Sequence, residues 1–283
     1  MYVTFSTHSL APSAGLVQGD RVYPLHRTMM ELLADWRPQT PTGDSFALSE
    51  VKLHAPVSNP NAIYGSGANY YDHLNEMAAV MKTPAYDPKA NGVPPWFFIK
   101  VPRNAIAGPG DAIQTPAYCQ KLDWEIELAA IVGRTAKDVS VANALDYIAG
   151  YTISNDLSAR DHVRRDSVPA GTPFAYDWLS HKSWDGSCPL GPGIVPLADP
   201  QNLWVKLWLN GELVQDSSTS QMIYSVAEQV AYLSSRCTLH PGDVILTGTP
   251  AGVGMARGRF LQPGDQLKLA IEQLGILEHS IAK

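Results

Sequence analysis

Acidic and apolar residues alternate without interruption over Leu122-Asp123-Trp124-Glu125-Ile126-Glu127-Leu128, and the chain then turns wholly apolar through Ala129-Ala130-Ile131-Val132 to Gly133. Alternation is the mark of a strand, whose successive side chains point to opposite faces. The pattern predicts Leu122, Trp124, Ile126 and Leu128 on one face and Asp123, Glu125 and Glu127 on the other. The apolar continuation carries the strand into the core, so the acidic face stands at the core's mouth. Neighbouring carboxylates about 6.6 Å apart on one face repel unless water or a cation separates them. A hard divalent cation meets that need. A solvated face paired with Lys121 and Arg134 is the alternative.

The rest of the pattern is short runs cut by turns. Pro-Gly-Asp recurs at 109–111, 241–243 and 263–265, and apolar runs such as Val244-Ile245-Leu246 and Leu267-Lys268-Leu269 follow. Each copy reads as a tight turn feeding an antiparallel strand. Helical spacing is rare. Ser140 is placed to cap a helix over residues 141–148, and Thr219 or Ser220 to start another that buries Ile223, Val226, Val230 and Leu233. Residues 1–57 read as a small N-terminal domain, with a hairpin around Gly19-Asp20, a helix near residues 29–33 and a Pro-rich break at Pro56-Val57-Ser58-Asn59-Pro60. Residues 58–283 form the remainder, and the whole is predicted to be mainly β, of the α+β class.

Composition narrows the partners. A net charge of -6 with no basic cluster longer than Arg164-Arg165 argues against nucleic acid. No run of about 18 apolar residues exists to span a membrane. The start lacks the pattern of a secretory signal, and Cys119, Cys188 and Cys237 show neither metal spacing nor a disulfide framework. A reducing cytoplasm is the expected location.

Three further segments carry candidate chemistry. In Ser154-Asn155-Asp156-Leu157-Ser158-Ala159-Arg160-Asp161, a strand over 148–153 runs into Asp156, and Ser158 with Asp161 has the form of a capping box. Arg160 either holds a carboxylate in the site or neutralises the acidic cluster. Glu125, Glu127 and Asp156 offer only oxygen, which favours Mg²⁺ or Mn²⁺, or Ca²⁺, over Zn²⁺. In Tyr64-Gly65-Ser66-Gly67 through Met77, a strand and Gly-rich turn precede a helix with His73 and Glu76 one turn apart. A carboxylate beside an imidazole raises its basicity, which suits a general base; an exposed helix pair is the alternative. Residues 82–95, rich in Pro, Lys and Gly, have the composition of a lid. Finally, Thr247-Gly248-Thr249-Pro250-Ala251-Gly252 follows a strand and can present backbone N–H groups to an anion.

Together these residues resemble the fumarylacetoacetate hydrolase superfamily. The likeness rests on Asn69-Tyr70, Asp72-His73, Glu76-Met77, the run Asp123 to Leu128, Asn155 to Asp161, Pro189-Leu190-Gly191-Pro192 and Thr247-Gly248-Thr249-Pro250 with Gly252-Val253-Gly254. It implies a mixed β-sandwich roll with a small N-terminal domain, usually in a homodimer. It also implies Glu125, Glu127 and Asp156 as metal ligands, His73 and Glu76 as a water-activating dyad, and Lys182 as an active-site lysine. Thr249, Gly248, Tyr70 and Arg160 are implied around the substrate. One departure stands out: many relatives carry glutamine where this chain has Val163, so no substrate contact is carried over there. The expected reaction is metal-dependent hydrolysis of a C–C bond in a 2,4-dioxo acid, giving a 2-oxo acid and a carboxylic acid, as in aromatic catabolism. Decarboxylation or enol–keto isomerisation of an oxo-diacid is the alternative, and a non-enzymatic Ca²⁺-binding β module is a remote one.

Overall fold

The end of the alternating run and its apolar continuation lie inside the largest of three sheets in the computed structural model, which describes residues 1–84, 86–165, 167–169 and 171–283. Strand Ile126–Val132 pairs antiparallel with Ile148–Asn155 on one side and Val244–Leu246 on the other. Beyond these lie Cys188–Val195 on the first side, and Ile63–Ser66 then Phe97–Lys100 on the second. A smaller sheet runs in the order Glu212–Ser218, Trp204–Leu209, Gln266–Ile271, Gly275–Ile281, Ala112–Ile113. The architecture is mainly β, α+β, as the sequence predicts.

Both faces of Ile126–Val132 are buried, and its residues divide by parity. Ile126, Leu128, Ala130 and Val132 join Leu207, Leu269 and Leu277 of the smaller sheet in one apolar cluster. Ala129 and Ile131 pack instead with Leu32, Leu33, Ile194 and Val244. Each fully buried Leu or Ile here contributes about 1.5–3 kcal/mol. Glu127 stands on the second face, so the acidic side of the strand is real, but the strand is shorter than the alternation. Leu122–Asp123 pairs separately with Ser158–Ala159. Between them the chain bends, because side chains replace the ladder: Glu125 N–H donates to Asn155 Oδ1 and Ile126 N–H to Gln215 Oε1.

The Pro-Gly-Asp turns obey one rule. Gly110, Gly242 and Gly264 all have positive φ, as the third residue of a type II turn requires. In each, the Asp carboxylate accepts the N–H three residues back, from Gly108, His240 and Gln262. Near the N-terminus, Ser13–Gln18 and Arg21–Pro24 form the hairpin, and Thr28 with Glu31 makes a capping box on helix Met29–Ala34. Tyr2 pairs with Ile194, so the sheet of residues 1–57 continues directly into the larger sheet.

Three expectations need correction. Residues Val141–Tyr147 form a 3₁₀-helix: Ser140 makes no side-chain cap bond and only Ala144 is buried, which leaves no capped apolar stripe to sustain an α-helix. The second helix starts at Val226, capped by Ser225 and Glu228, because Asn69 binds the N–H groups of Ile223 and Tyr224 outside the helix. Ser158 and Asp161 make no capping box. Ser158 lies in a strand and donates to Asp156 O, while Asp161 accepts from the N–H groups of Gln120 and Lys121. The described residues of the expected lid, 82–84 and 86–95, form no regular element, and a 2.7 Å Lys89–Glu228 pair ties them to helix Val226–Arg236; residue 85 lies outside the described residues. No described helix is long and apolar enough to cross a membrane.

Candidate active site

Strand ends and one bend bring the predicted carboxylates together. Glu125 sits at the bend, Glu127 in the strand and Asp156 just past Ile148–Asn155, where its N–H donates to Glu125 O at 2.9 Å. One oxygen from each lies within 4.8 Å of the others, and all three are buried. Asp123 is not part of this group. It accepts N–H bonds from Gly254 and Met255 and pairs with Arg160 Nε at 2.7 Å.

The charge count around the triad is uneven. Four buried carboxylates, Asp123, Glu125, Glu127 and Asp156, face three largely buried cations, Lys100, Arg160 and Lys182. Lys182 Nζ donates to Glu125 Oε2 at 2.7 Å and to Asp156 Oδ2 at 2.6 Å. Lys100 Nζ donates to Asp156 Oδ1 at 2.5 Å, and Arg160 also pairs with Glu125. Burial would raise the Glu125 carboxyl, but Lys182 and Arg160 overcome it and hold that group well below the usual range. Burial would lower Lys182, but Asp156 and Glu125 keep it above its ordinary value. Glu127 is the exception. Its bond is a 2.6 Å donation from Gly248 N–H, and burial with Asp156 and Glu125 alongside drives its carboxyl well above the ordinary value. Among the described residues no ion pair neutralises it. An all-oxygen donor set with surplus negative charge fits a hard divalent cation, and Glu125, Glu127 and Asp156 would hold it.

His73 is buried on helix Tyr71–Met81, with Nδ1 3.4 Å from Glu76 Oε2. Glu76 in turn accepts the Gly252 N–H at 3.0 Å, and Asp72 accepts that of Ala251 at 3.3 Å. The helix carrying the base is thus pinned to the turn carrying Thr249. Gly252 has φ +102°, and a Cβ there would meet Val214 O at 2.1 Å. Gly252→Ala is expected to lower the melting temperature, since backbone strain of about 1–3 kcal/mol adds to that collision and each kcal/mol is worth about 2–4 °C. An unchanged melt would show that the turn relaxes freely and does not fix Glu76.

Glu125, Glu127 and His73 line one cavity of about 370 Å³ with Arg160, Lys182 and Thr249, while Asp156, bonded to Lys100 and Lys182, is not among its walls. Thr249 Oγ1 donates to Ile126 O and accepts from Gln215 Nε2. Two residues expected at the substrate do not line the cavity. Gly248 spends its N–H on Glu127. Tyr70 is fully buried, and its hydroxyl has no hydrogen-bond partner among the described residues.

Sequence reasoning missed three groups. Lys100 shares a strand face with Phe98, and only that period-two placement hinted that a lysine in Phe97–Lys100 would be buried. His181 lines the cavity. Its Nδ1–H donates to Ala159 O at 2.9 Å, and burial with Lys182 and Arg160 nearby lowers its pKa to about 3, so it stays neutral. Ser66 also lines the cavity, and its buried hydroxyl has no partner; no sequence signal marked it.

Known proteins resemble this chain along most of its length. Residues 1–56 match the family model "Rv2993c-like, N-terminal". The rat protein named oxaloacetate tautomerase Fahd2a, mitochondrial, is 37% identical over 239 residues, covering 82% of this chain and 70% of its own. The crystal structure of a 5-carboxymethyl-2-hydroxymuconate delta-isomerase from Mycobacterium smegmatis superposes with a TM-score of 0.81 at 32% identity, covering 99% of this chain and 98% of its own. A fumarylacetoacetate hydrolase from Exiguobacterium antarcticum gives 0.81 at 32%, covering 100% and 99%. Residues 62–282 match the family model "Fumarylacetoacetate (FAA) hydrolase C-terminal", and the chain belongs to that family.

Proposed function

We propose that this protein interconverts the enol and keto forms of a 2-oxo acid, His73 moving the proton at the carbon beside the 2-oxo group. The observation that carries this reading is one base, held by Glu76, in the same cavity as Glu125 and Glu127, two of three clustered carboxylates of metal-binding type. A divalent cation, Mg²⁺ or Mn²⁺ on the donor set, would be held by Glu125, Glu127 and Asp156 and would supply Lewis-acid polarisation of the 2-oxo acid. Lys182 places positive charge beside the enolate oxygen as it develops. Thr249 lines the cavity with its hydroxyl already bonded to Ile126 O and Gln215, so it shapes the wall and is no donor to the acid end. Glu76 stabilises the imidazolium that forms when His73 takes the proton. C–C hydrolysis, expected from the resemblance, needs a held water in addition. The partnerless Ser66 hydroxyl favours it as a second reading. The tautomerase and isomerase names among the relatives support proton transfer alone.

Proton NMR in D₂O with Mg²⁺ separates the two. Enzyme-dependent deuterium uptake at C3 of a 2-oxo acid, with no carboxylic acid released from a 2,4-dioxo acid, is the expected result. Stoichiometric release of that acid would establish hydrolysis instead.

The metal assignment has its own test. Excess Mg²⁺ or Mn²⁺ should raise the melting temperature, by about 5–10 °C at a hundredfold excess over Kd. The raised Glu127 carboxyl makes the metal-free protein lose stability as pH rises through the folded value, whereas metal replaces that proton. The metal-induced shift should therefore grow as pH rises above the ordinary carboxylate range. Glu127→Gln should melt higher than wild type without metal and lose at least roughly 10–100-fold in metal affinity. A shift independent of both pH and Glu127 would remove this residue from the site.

A further inference from the structure

We infer that the substrate carries an apolar group, about the size of a phenyl ring, at the end away from its carboxylate. This rests on the 2-oxo acid reading above and narrows it to monocarboxylates with an aryl or branched alkyl tail. The cavity lining is of two kinds. Glu125, Glu127, Lys182 and His73 are polar, whereas Trp96, Phe98 and Trp178 form one aromatic wall to which Met77, Val163 and Met255 add apolar surface. The two kinds meet where Lys182 Nζ lies 5.0 Å from the centre of the Phe98 ring.

The aromatic wall is built into the backbone. A Cβ on Gly67 would lie 2.0 Å from the Trp96 ring, and one on Gly65 2.2 Å from that of Phe98. The missing side chains of the Gly-Ser-Gly turn are thus the seats of the two rings. Trp178 closes the corner, 4.7 Å from Trp96 and 6.0 Å from Phe98 between ring centres, the latter pair at 15°. Trp96 is 46% exposed, so a tail lying on it covers apolar surface that water otherwise meets. Methionines beside it adapt to the shape of what binds.

The same wall opposes a second carboxylate. Among the described residues lining the cavity, the lysine and arginine cations are Lys182 and Arg160, and both are already bonded to carboxylates. A dioate would have to leave water at its far end with no charge to meet it.

Calorimetric binding of pyruvate, phenylpyruvate and oxaloacetate to the Mg²⁺-loaded protein tests this. Phenylpyruvate should bind about 10–100-fold tighter than pyruvate, the scale for burying one phenyl group, and oxaloacetate no tighter than pyruvate. Trp96→Ala, at a half-exposed position where folding is tolerant, should remove most of the phenyl gain. Oxaloacetate binding tightest, or a phenyl gain retained in Trp96→Ala, overturns the inference while leaving the 2-oxo acid reading standing. No binding of any of the three overturns both.

Discussion

Lys182→Met should lower kcat by roughly 10²-fold or more, the scale for removing one oxyanion donor, and should also destabilise the metal-free protein. The two effects have one cause. Lys182 is 4% exposed and donates to both Glu125 and Asp156, so its loss uncovers negative charge in a buried site. Breaking a buried pair by removing one partner costs about 3–5 kcal/mol. Here Arg160 stays on Glu125 and Lys100 on Asp156, which places the cost toward the lower end. Added Mg²⁺ should recover more of the melting temperature in the variant than in wild type, because the metal then meets less competing charge. It should not recover kcat. A variant with normal kcat and a lowered melt would make Lys182 a neutralising group only.

His73→Ala should cut C3 proton exchange by about 10²–10⁴-fold, the usual contribution of a positioned base. Metal affinity, read from the melting shift, should hold, since His73 makes no bond to the triad. Glu76→Gln should act in the same direction but more weakly: it keeps the base while loosening both its orientation and the Gly252 turn. Loss of metal response in His73→Ala would mean that the helix assembles the whole site. Full exchange activity would remove His73 from the chemistry.

What could be read in the sequence was whatever a local period or a short motif enforces. The split of Ile126–Val132 between two apolar clusters follows from alternation, and each Pro-Gly-Asp turn from backbone geometry. The acidic triad was legible because Glu125 and Glu127 alternate with apolar residues, although the chain bends at Glu125 and only Glu127 lies in the strand. Lys100 and His181 were not, because their roles come from long-range pairing: Lys100 reaches Asp156 across 56 positions. Ser158 and Asp161 misled for the opposite reason. Their local capping pattern lost to a strand pairing with Leu122–Asp123 that only the whole fold supplies.

That reach in sequence has a consequence for biosynthesis. Glu127 is held by Gly248, 121 positions later, and the Asp72 end of the base-bearing helix by Ala251, 179 positions later. At about 5–20 residues per second on the ribosome, the anionic strand waits roughly 6–25 s for the turn that completes its site. Until then its carboxylates stay hydrated and the nascent chain has no ordered site for metal. On the metal reading, ion capture should follow synthesis of that turn, and a fragment cut before residue 248 should not acquire metal even if its central sheet forms.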